Sequence, residues 1–410
     1  MKNSFLNPEL QKALTGKNLT QGTFNENFQH IWQYFNERNI APRIILAGKT
    51  GVGKSSIINA LLGEEVCEIG VIPTTKEEQQ ISWSTPKGEL LIVDFPGFGE
   101  AEKATETYDQ NIRDLGASEG HLLLLVLKAD DRALEEENLF LEKWQKANID
   151  KIPTLIVVNQ IDKMKPARDW QPKVLNLEVP ATEKEQNIIT YLNYVSGLDN
   201  FKGIPMISFS AGEFAEDKEN QYGIAQLVDA IFEALPESAR TDFARLAKEK
   251  TIRDKQAVAI IKKYSATAFG IVLANPLPIA DALPLSALQV LMIIHLGRLY
   301  NIQITKGVAA GLASAIGTSL AGRAAFQLVI SAIPGLKNLA GPPLAASLTY
   351  TIGRTIQKLF SLGQMTATRE EITGLVKQYA EEAKNFAKKL EKDLKEPNNQ
   401  SNEEQKKEAE

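Results

Sequence analysis

The sequence predicts an α/β domain with a mostly parallel sheet, followed by an all-α domain. Between residues 43 and 235, short apolar runs alternate with helix-prone stretches. The runs are continuously apolar and lack a period of two, which is typical of parallel strands covered by helices on both faces. Residues 265–360 are instead rich in Ala, Gly, Leu and Ile and are interrupted by prolines. This composition predicts several packed apolar helices.

The order of these patterns divides the chain into four segments. The stretch FNENFQHIWQYF has aromatic residues at helical spacing and predicts one amphipathic helix before Pro42. Residues 237–264 are charged and predict a long connecting helix, and another helix is expected from Thr366. The predicted strands are RIILAG, ELLIVDFPG, HLLLLVLKAD, TLIVVNQID and IPMISFSA. The expected segments are an N-terminal helical segment at 1–40, the α/β domain at 41–236, the helical domain at 237–396 and a disordered tail at 397–410.

Composition excludes several classes of protein. Of the 410 residues, 43% are hydrophobic and 24% are charged, as in an ordinary globular protein. The formal net charge of -5 provides no global positive field, so no nucleic-acid partner is expected. The single cysteine, Cys67, and three scattered histidines exclude a disulfide framework and a structural zinc site. The first residues lack the apolar core of a secretory signal, so we expect a cytoplasmic protein.

One string has the pattern of a phosphate-binding loop. Residues 48–55 read GKTGVGKS, directly after the strand RIILA and before the helix SSIINALLG. Glycines allow the positive φ and close approach that turn successive N–H groups toward phosphate oxygens. Lys54 is expected to reach the β and γ phosphates, and the Ser55 hydroxyl to bind Mg²⁺. The predicted phosphate-binding residues are Gly48, Gly51, Val52, Gly53, Lys54, Ser55 and Ser56.

Two further strings are candidates for sensing the γ phosphate. Thr74 and Thr75 lie in the polar segment VIPTTKEEQQ, where one hydroxyl is placed to bind Mg²⁺; we favour Thr75. Asp94 ends an apolar strand and can hold the metal through water, and Gly97 can offer its N–H to the phosphate. Taken alone, each string is also compatible with an ordinary turn.

The last two strings predict the base. Asn159, Gln160 and Asp162 follow the strand TLIVV, at the strand end where ligands bind in open α/β sheets. The Asp162 carboxylate would accept from N1–H and the amino group of guanine, a pair of donors that adenine lacks. Ser210 and Ala211 follow the last strand, and the Ala211 N–H can meet guanine O6. This order disfavours a kinase or an ATPase, although each string alone resembles a common loop end.

Together, GKTGVGKSSIINALLG, PTT, DFPG, NQID and SA resemble the translation-factor-related GTPases, in particular their Era-like branch, over about residues 40–235. The resemblance implies a P-loop GTPase fold, GTP or GDP and Mg²⁺ as ligands, and GTP hydrolysis. It implies that Ser55, Thr75 and Asp94 serve the metal, and that Lys54, Thr75 and Gly97 take part in catalysis. Asn159 and Asp162 would read the base.

Three residues depart from the family pattern. Gln160 replaces the usual Lys whose stem stacks on the base, and Phe98 replaces the Gln that orients water in many GTPases. Gly51 stands where potassium-using members carry Asn, which disfavours the potassium route. We therefore expect slow turnover that rises with homodimerisation through the GTPase domain or with a partner. A nucleotide-binding scaffold with negligible hydrolysis remains an alternative.

The C-terminal region carries a second, weaker resemblance. NPLPIADALPLSALQVLMIIHLGRLYNI resembles an apolar domain of unknown function found on some bacterial Era-like GTPases, and the overall layout resembles the immunity-related GTPases. These likenesses imply a switch controlling a helical domain, with dynamin-like membrane remodelling as an alternative. The uncharged run 307–322 has 16 residues, below the roughly 20 needed to span a bilayer. A buried bundle and peripheral membrane contact both remain open, and the lysines of IIKKY and AKKLEKDLK are expected on solvated faces.

Overall fold

A computed structural model gives the fold of this protein. It describes residues 41–63, 79–85, 88–94, 110, 112–113, 120–148, 152–214, 217–247, 250–274, 283–302, 304, 341–365 and 367–395. These residues form two compact units, one ending at Ile252 and one beginning at Arg253. The predicted N-terminal helix and tail, Thr74, Thr75, Gly97, Phe98 and the run 307–322 lie outside the described residues.

The first unit is built on a six-stranded sheet in the order β2-β3-β1-β4-β5-β6. Five strands are parallel, and β2 at the edge pairs antiparallel with β3. The strands are β1 Arg43–Ala47, β2 Gln79–Thr85, β3 Gly88–Asp94, β4 Leu122–Lys128, β5 Thr154–Asn159 and β6 Met206–Ser208. All five predicted strands are confirmed. The sequence reading missed β2, whose alternation of polar and apolar residues in QQISWST is the mark of an antiparallel edge strand.

Helices bury the sheet of the first unit. They are α1 Lys54–Leu62, α2 Glu135–Ala147, α3 Glu183–Gly197, α4 Ile224–Ala234 and α5 Glu237–Leu246. Strand β4 is buried through LLLLVL, and Phe140 and Trp144 of α2 stack with ring centroids 6.4 Å apart in the core beside it. Burying each large apolar side chain contributes about 2 kcal/mol, so this shared core holds α2 against the sheet.

The second unit consists of long helices. They are α6 Lys250–Ala274, whose residues from Arg253 onward belong to this unit, α7 Leu283–Leu299, α8 Pro342–Ser361 and α9 Arg369–Lys395. A Cβ on Gly353 of α8 would lie 2.7 Å from Cγ1 of Ile261 and 3.0 Å from Sδ of Met292. Only a glycine therefore allows α6, α7 and α8 to meet this closely. None of the described helices is both long and apolar enough to cross a bilayer.

The predicted connecting helix over 237–264 is wrong. Helix α5 ends at Leu246, where Ala247 takes an extended ψ of 138°, and α6 starts only at Lys250. Because α5 packs on β3 and buries Phe243, the first unit continues to Ile252 instead of ending at the expected residue 236. The prolines were expected to separate the apolar helices, and Pro342 stands at the start of α8, where its missing N–H costs no helical hydrogen bond.

Candidate nucleotide-binding site

The parallel strands bring the predicted strings to one edge of the sheet. Leu46 of β1 pairs with Asp94 of β3, and Lys128 of β4 pairs with Asn159 of β5. The segments that follow β1, β3 and β5 therefore begin at the same edge of the sheet, with β4 between β1 and β5. This edge, at the carboxyl ends of parallel strands, is where open α/β sheets bind ligands.

The loop after β1 is shaped by its glycines. Gly48 lies so close to β4 that a Cβ would come within 2.4 Å of the Val126 carbonyl oxygen. Gly51 and Gly53 have φ of 81° and 92°, a left-handed conformation that strains other residues. Gly53 is the N-cap of α1, and no side chain caps that end. The first N–H groups of α1 and the positive end of its dipole therefore suit an anion.

Lys54 lies across this loop. Its Nζ donates to the carbonyl oxygens of Gly48 at 2.9 Å and Lys49 at 3.5 Å. The half-buried Ser55 and Ser56 follow it in the first turn of α1. The Lys54 charge, the hydroxyls of Ser55 and Ser56 and the first backbone N–H groups of α1 thus lie within one helical turn. This set of groups fits a phosphate chain.

Lys49 ties the phosphate loop to α2. Its Nζ lies 3.1 Å from Oε2 of Glu137 and 3.3 Å from Oδ2 of Asp131, and it also donates to the Ala133 carbonyl. Glu137 is only 1% exposed, and burial raises the pKa of its carboxyl. Burial alone would lower the pKa of Lys49, but Glu137 and Asp131 raise it. Sequence analysis missed this contact because Lys49 fills a variable position of the string.

The base string clamps the phosphate loop. Nδ2 of Asn159 donates to the Val52 carbonyl at 2.9 Å, and Nε2 of Gln160 donates to the Gly51 carbonyl at 3.0 Å. A Cβ on Gly53 would lie 2.4 Å from Asn159 Nδ2, so this contact also requires glycine. Oδ1 of Asn159 is buried without a partner among the described residues. Gln160 therefore holds the loop, a role that its departure from the family pattern did not suggest.

Lys184 of α3 fixes the loop that carries Asp162. Its side chain is fully buried, and Nζ donates to the carbonyls of Asp162 at 2.8 Å, Met164 at 2.7 Å and Pro166 at 3.3 Å. Burial lowers the pKa of Lys184, and the charge of Asp162 opposes that shift. The half-exposed Asp162 carboxylate accepts no hydrogen bond from the residues that the structure describes. Sequence analysis missed Lys184, since no motif spacing marks it.

Glu185 holds the other end of the same loop. Its carboxylate accepts from the N–H groups of Asn176 at 2.7 Å, Ala181 at 2.8 Å and Thr182 at 2.9 Å. Thr182 in turn accepts from the Glu185 N–H, forming a capping box at the start of α3. These N–H donors lower the pKa of Glu185 to about 2. The capping-box pattern T-E-K-E was visible in the sequence, but its contact with the loop was not.

The loop after β6 joins the base string through the backbone. The Ile161 N–H donates to the Phe209 carbonyl at 3.3 Å, next to Ser210. Ser210 Oγ donates to the Asn220 carbonyl at 3.0 Å, which folds the loop around the buried Ala211. Ser210 and Ala211 therefore directly follow a residue that contacts the base string, and their place in a base pocket stays a prediction.

The donor chemistry also fits Mg²⁺. This ion is held by few protein oxygens together with phosphate oxygens, so it needs no all-protein cage. The Ser55 hydroxyl lies at the loop, and the backbone of Asp94 lies at the same rim. Among the described residues, no three His, Cys, Asp or Glu side chains are grouped as a metal site. Thr75 and Gly97, the other predicted contributors, are outside that part of the chain.

Family models match both units. Residues 43–160 match the family described as 50S ribosome-binding GTPase, and residues 241–385 match the domain of unknown function DUF697. The chain carries an Era-like P-loop GTPase domain and a C-terminal DUF697 domain. The predicted fold, the GTPase class and guanine nucleotide as ligand are confirmed at this level.

Sequence relatives extend over most of the chain. The uncharacterized protein YfjP of Escherichia coli K12 is 26% identical over 312 residues, covering 75% of this chain and 98% of that protein. GTPase Era of Xanthomonas axonopodis pv. citri is 26% identical and covers 55% of this chain and 78% of that protein. GTPase Era of Stenotrophomonas maltophilia K279a is 34% identical over 124 residues, which are 30% of this chain and 40% of that protein.

Two solved structures overlap part of this chain. A variant of Era from Aquifex aeolicus, bound to GDP and AlF4⁻, is 19% identical with a TM-score of 0.34, covering 56% of this chain and 67% of that one. Toc33 from Arabidopsis thaliana, in complex with GDP and Mg²⁺, is 18% identical with a TM-score of 0.35, covering 55% and 95%. Both scores are below 0.5, so the assignment rests on the family models and the sequence relatives.

Proposed function

We propose that this GTPase is a switch whose nucleotide, held with Mg²⁺ at the sheet edge, controls the helical domain. The observation that carries the proposal is the clamp between the base string and the phosphate loop. Asn159 donates to Val52, 107 positions away in the chain. Because the two strings are joined directly, one ligand with a base at one end and phosphates at the other can contact both at once.

The residues of the loop bind and orient the phosphates. The Lys54 charge and the first N–H groups of α1 stabilise the phosphate oxygens. Ser55, Asp94 and Thr75 would hold the metal, which neutralises charge on the transferred phosphoryl group. Gly97 would offer its N–H to the γ phosphate, so that loss of this phosphate releases the loops of Thr75 and Gly97.

Base recognition provides the sharpest test. Replacing Asp162→Asn exchanges an acceptor for an N–H donor, which suits xanthine, because its carbonyl stands where guanine has the amino group. We expect GDP affinity to fall about 100-fold, consistent with unpaired buried polar groups, and xanthosine diphosphate affinity to rise. The matched control is Asp169→Asn, a more exposed carboxylate in the same loop. Unchanged guanine preference in Asp162→Asn would show that the base lies elsewhere.

Hydrolysis is proposed to depend on self-association, because Phe98 cannot orient water as Gln does. Turnover measured against protein concentration, with and without liposomes, tests this. A rise with concentration supports a homodimer through the GTPase domain, and a rise with liposomes supports peripheral membrane contact and the membrane-remodelling alternative. A constant rate per molecule contradicts both. Single-turnover phosphate release separates a slow enzyme from a nucleotide-binding scaffold.

Nucleic-acid binding is the point on which composition and family differ. The net charge of -5 favours no nucleic-acid partner. The matching family, however, is described by ribosome binding, and one solved Era structure contains part of 16S ribosomal RNA. We keep the expectation of no nucleic-acid partner. Co-sedimentation with purified ribosomal subunits in each nucleotide state would contradict it if the protein pelleted.

A further inference from the structure

Helices α6, α8 and α9 of the second unit border an open groove of about 610 Å³. Residues on one face of α6, at spacings of four, line one wall, and a face of α8 lines the other. The close contact at Gly353 brings these two helices together. Its walls include Asp254, Ala259 and Lys262 of α6 and Arg354, Gln357 and Lys358 of α8. The volume suits a small organic ligand.

The groove is positively charged although the chain as a whole is acidic. Four cationic side chains and one carboxylate line it. The carboxylate, Asp254, already accepts from the Tyr300 hydroxyl at 2.6 Å. Arg354 is held by Glu382 at 2.8 Å and stacks on the Tyr379 ring at 4.6 Å. These contacts fix the walls of the groove.

Two lysines of the groove carry positive charges that can bind an anion. Both Lys262 and Lys358 are exposed, and no carboxylate among the described residues lies within ion-pair distance of either. They stand on opposite walls, one on α6 and one on α8. An anion between them would therefore contact both helices.

A buried polar group in the groove also lacks a partner. Gln357 is 7% exposed and lines the groove, and its Oε1 is buried without a hydrogen-bond donor among the described residues. Its Nε2 reaches the Asp254 carbonyl at 3.4 Å. An unpaired buried acceptor costs free energy, typically about 1–3 kcal/mol, unless a ligand donates to it. A ligand of this groove would therefore be stabilised by a hydrogen-bond donor as well as by a negative charge.

We propose that the groove between α6 and α8 binds a phosphate ester of a polyol, using Lys262 and Lys358 for the phosphate and Gln357 for a hydroxyl. A phosphoryl group spreads its negative charge over oxygens in a tetrahedral arrangement, so it can accept charge-assisted hydrogen bonds from ammonium groups on both walls at once. A neighbouring hydroxyl supplies the donor that Gln357 Oε1 lacks. Val258, Ala259 and the Tyr379 ring can cover the carbon skeleton.

The test uses the full chain and two probes with this chemistry. Inositol hexakisphosphate in calorimetry tests a soluble ester, and vesicles of phosphatidylcholine with phosphatidylglycerol test a lipid headgroup against phosphatidylcholine alone. Lys262→Gln with Lys358→Gln should weaken binding about tenfold or more, because two charge-assisted contacts are lost. Lys388→Gln with Lys389→Gln, on the exposed surface of α9 outside the groove, makes the same charge change and should leave binding unaltered.

A third variant separates a cavity from general attraction to positive charge. Ala259→Trp fills the groove from an exposed position without changing charge, and should abolish binding. Thermal unfolding and GDP affinity of each variant verify folding of both units. The site is supported if the Lys262 and Lys358 double variant and Ala259→Trp lose binding to the soluble ester, to the vesicles or to both. The probe that loses binding shows whether the phosphate ester is a soluble compound or a lipid headgroup. The proposal is overturned if neither probe binds, if the two double variants lose binding equally, or if Ala259→Trp binds as well as the wild type.

Discussion

The two units build their binding surfaces from different parts of the chain. In the GTPase unit, glycines and strand ends expose backbone N–H and carbonyl groups, and side chains such as Asn159 and Lys184 hold that backbone in place. In the helical unit, the backbone groups are paired inside helices, so only side chains can line the groove. Substitutions in the GTPase unit should therefore alter nucleotide affinity by changing backbone geometry. Substitutions in the helical unit should alter stability and groove binding through packing and charge.

The largest effect is expected at Gly53. Replacing Gly53→Ala adds a Cβ 2.4 Å from Asn159 Nδ2 at a residue with φ of 92°. Such backbone strain costs about 1–3 kcal/mol, and displacing Asn159 breaks the clamp. We expect GDP affinity in calorimetry to fall at least about 100-fold, equivalent to about 2.7 kcal/mol.

The control for Gly53 lies in the other unit. Gly374 is inside α9, and a Cβ there meets no atom within 4 Å. Gly374→Ala should leave GDP affinity unchanged and stabilise the helix by about 1 kcal/mol. Equal GDP affinities in the two variants would contradict the role of backbone geometry at the loop.

The next effect is expected at the buried ion pair between Lys49 and Glu137. Lys49→Met leaves Glu137, which is 1% exposed, without its principal partner. The free energy of unfolding in urea should fall by about 3 kcal/mol. Adding Glu137→Leu should restore most of it, because the unpaired charge is then gone. Lys146→Met breaks an exposed pair with Glu142 and should cost far less, because solvent screens that pair.

Lys184 should affect both stability and base binding. Lys184→Met leaves the carbonyls of Asp162, Met164 and Pro166 without their donor. We expect a loss of about 2 kcal/mol in the free energy of unfolding, from the unpaired carbonyls. GDP affinity should fall as the Asp162 loop loosens. A destabilised variant that binds GDP normally would restrict Lys184 to a structural role.

In the helical unit, Gly353 tests packing. Gly353→Ala places a Cβ 2.7 Å from Ile261 Cγ1, so α6 and α8 must move apart. Overpacking costs about 1–3 kcal/mol, and the better helix propensity of Ala offsets part of it, leaving about 1 kcal/mol of destabilisation. Thermal unfolding measures this change. GDP affinity should not change, and a marked loss of it would contradict the division of roles between the units.

The smallest effect is a pH dependence from Glu185. Its pKa is lowered from 4.5 to about 2 by backbone N–H donors. The stabilisation is therefore fully present above pH 4.5 and is lost as pH falls toward about 2. Glu185→Gln lacks this dependence, so the difference in Tm between wild type and variant should shrink over that range. A constant difference would contradict the assignment.

Sequence analysis predicted the parallel strands but missed the edge strand and one helix boundary. The five parallel strands were predicted because strands buried on both faces are continuously apolar. Strand β2 was missed because an alternating edge strand resembles a polar loop. The division between α5 and α6 also escaped prediction, since the change of backbone direction at Ala247 hardly alters helical periodicity in the sequence.

The amino-acid sequence alone determined the nucleotide class, because glycine, lysine and carboxylate spacing is local and lies next to recognisable strands. Its departure at Gln160 was also visible. Only the tertiary structure decided which groups hold these strings in place: Gln160 on Gly51, Lys184 on the Asp162 loop, and Lys49 on Glu137. Such contacts join residues far apart in the chain, and no local pattern specifies them. The groove has the same origin, because helical spacing places Lys262 on a face of α6 but only helix packing sets it opposite Lys358.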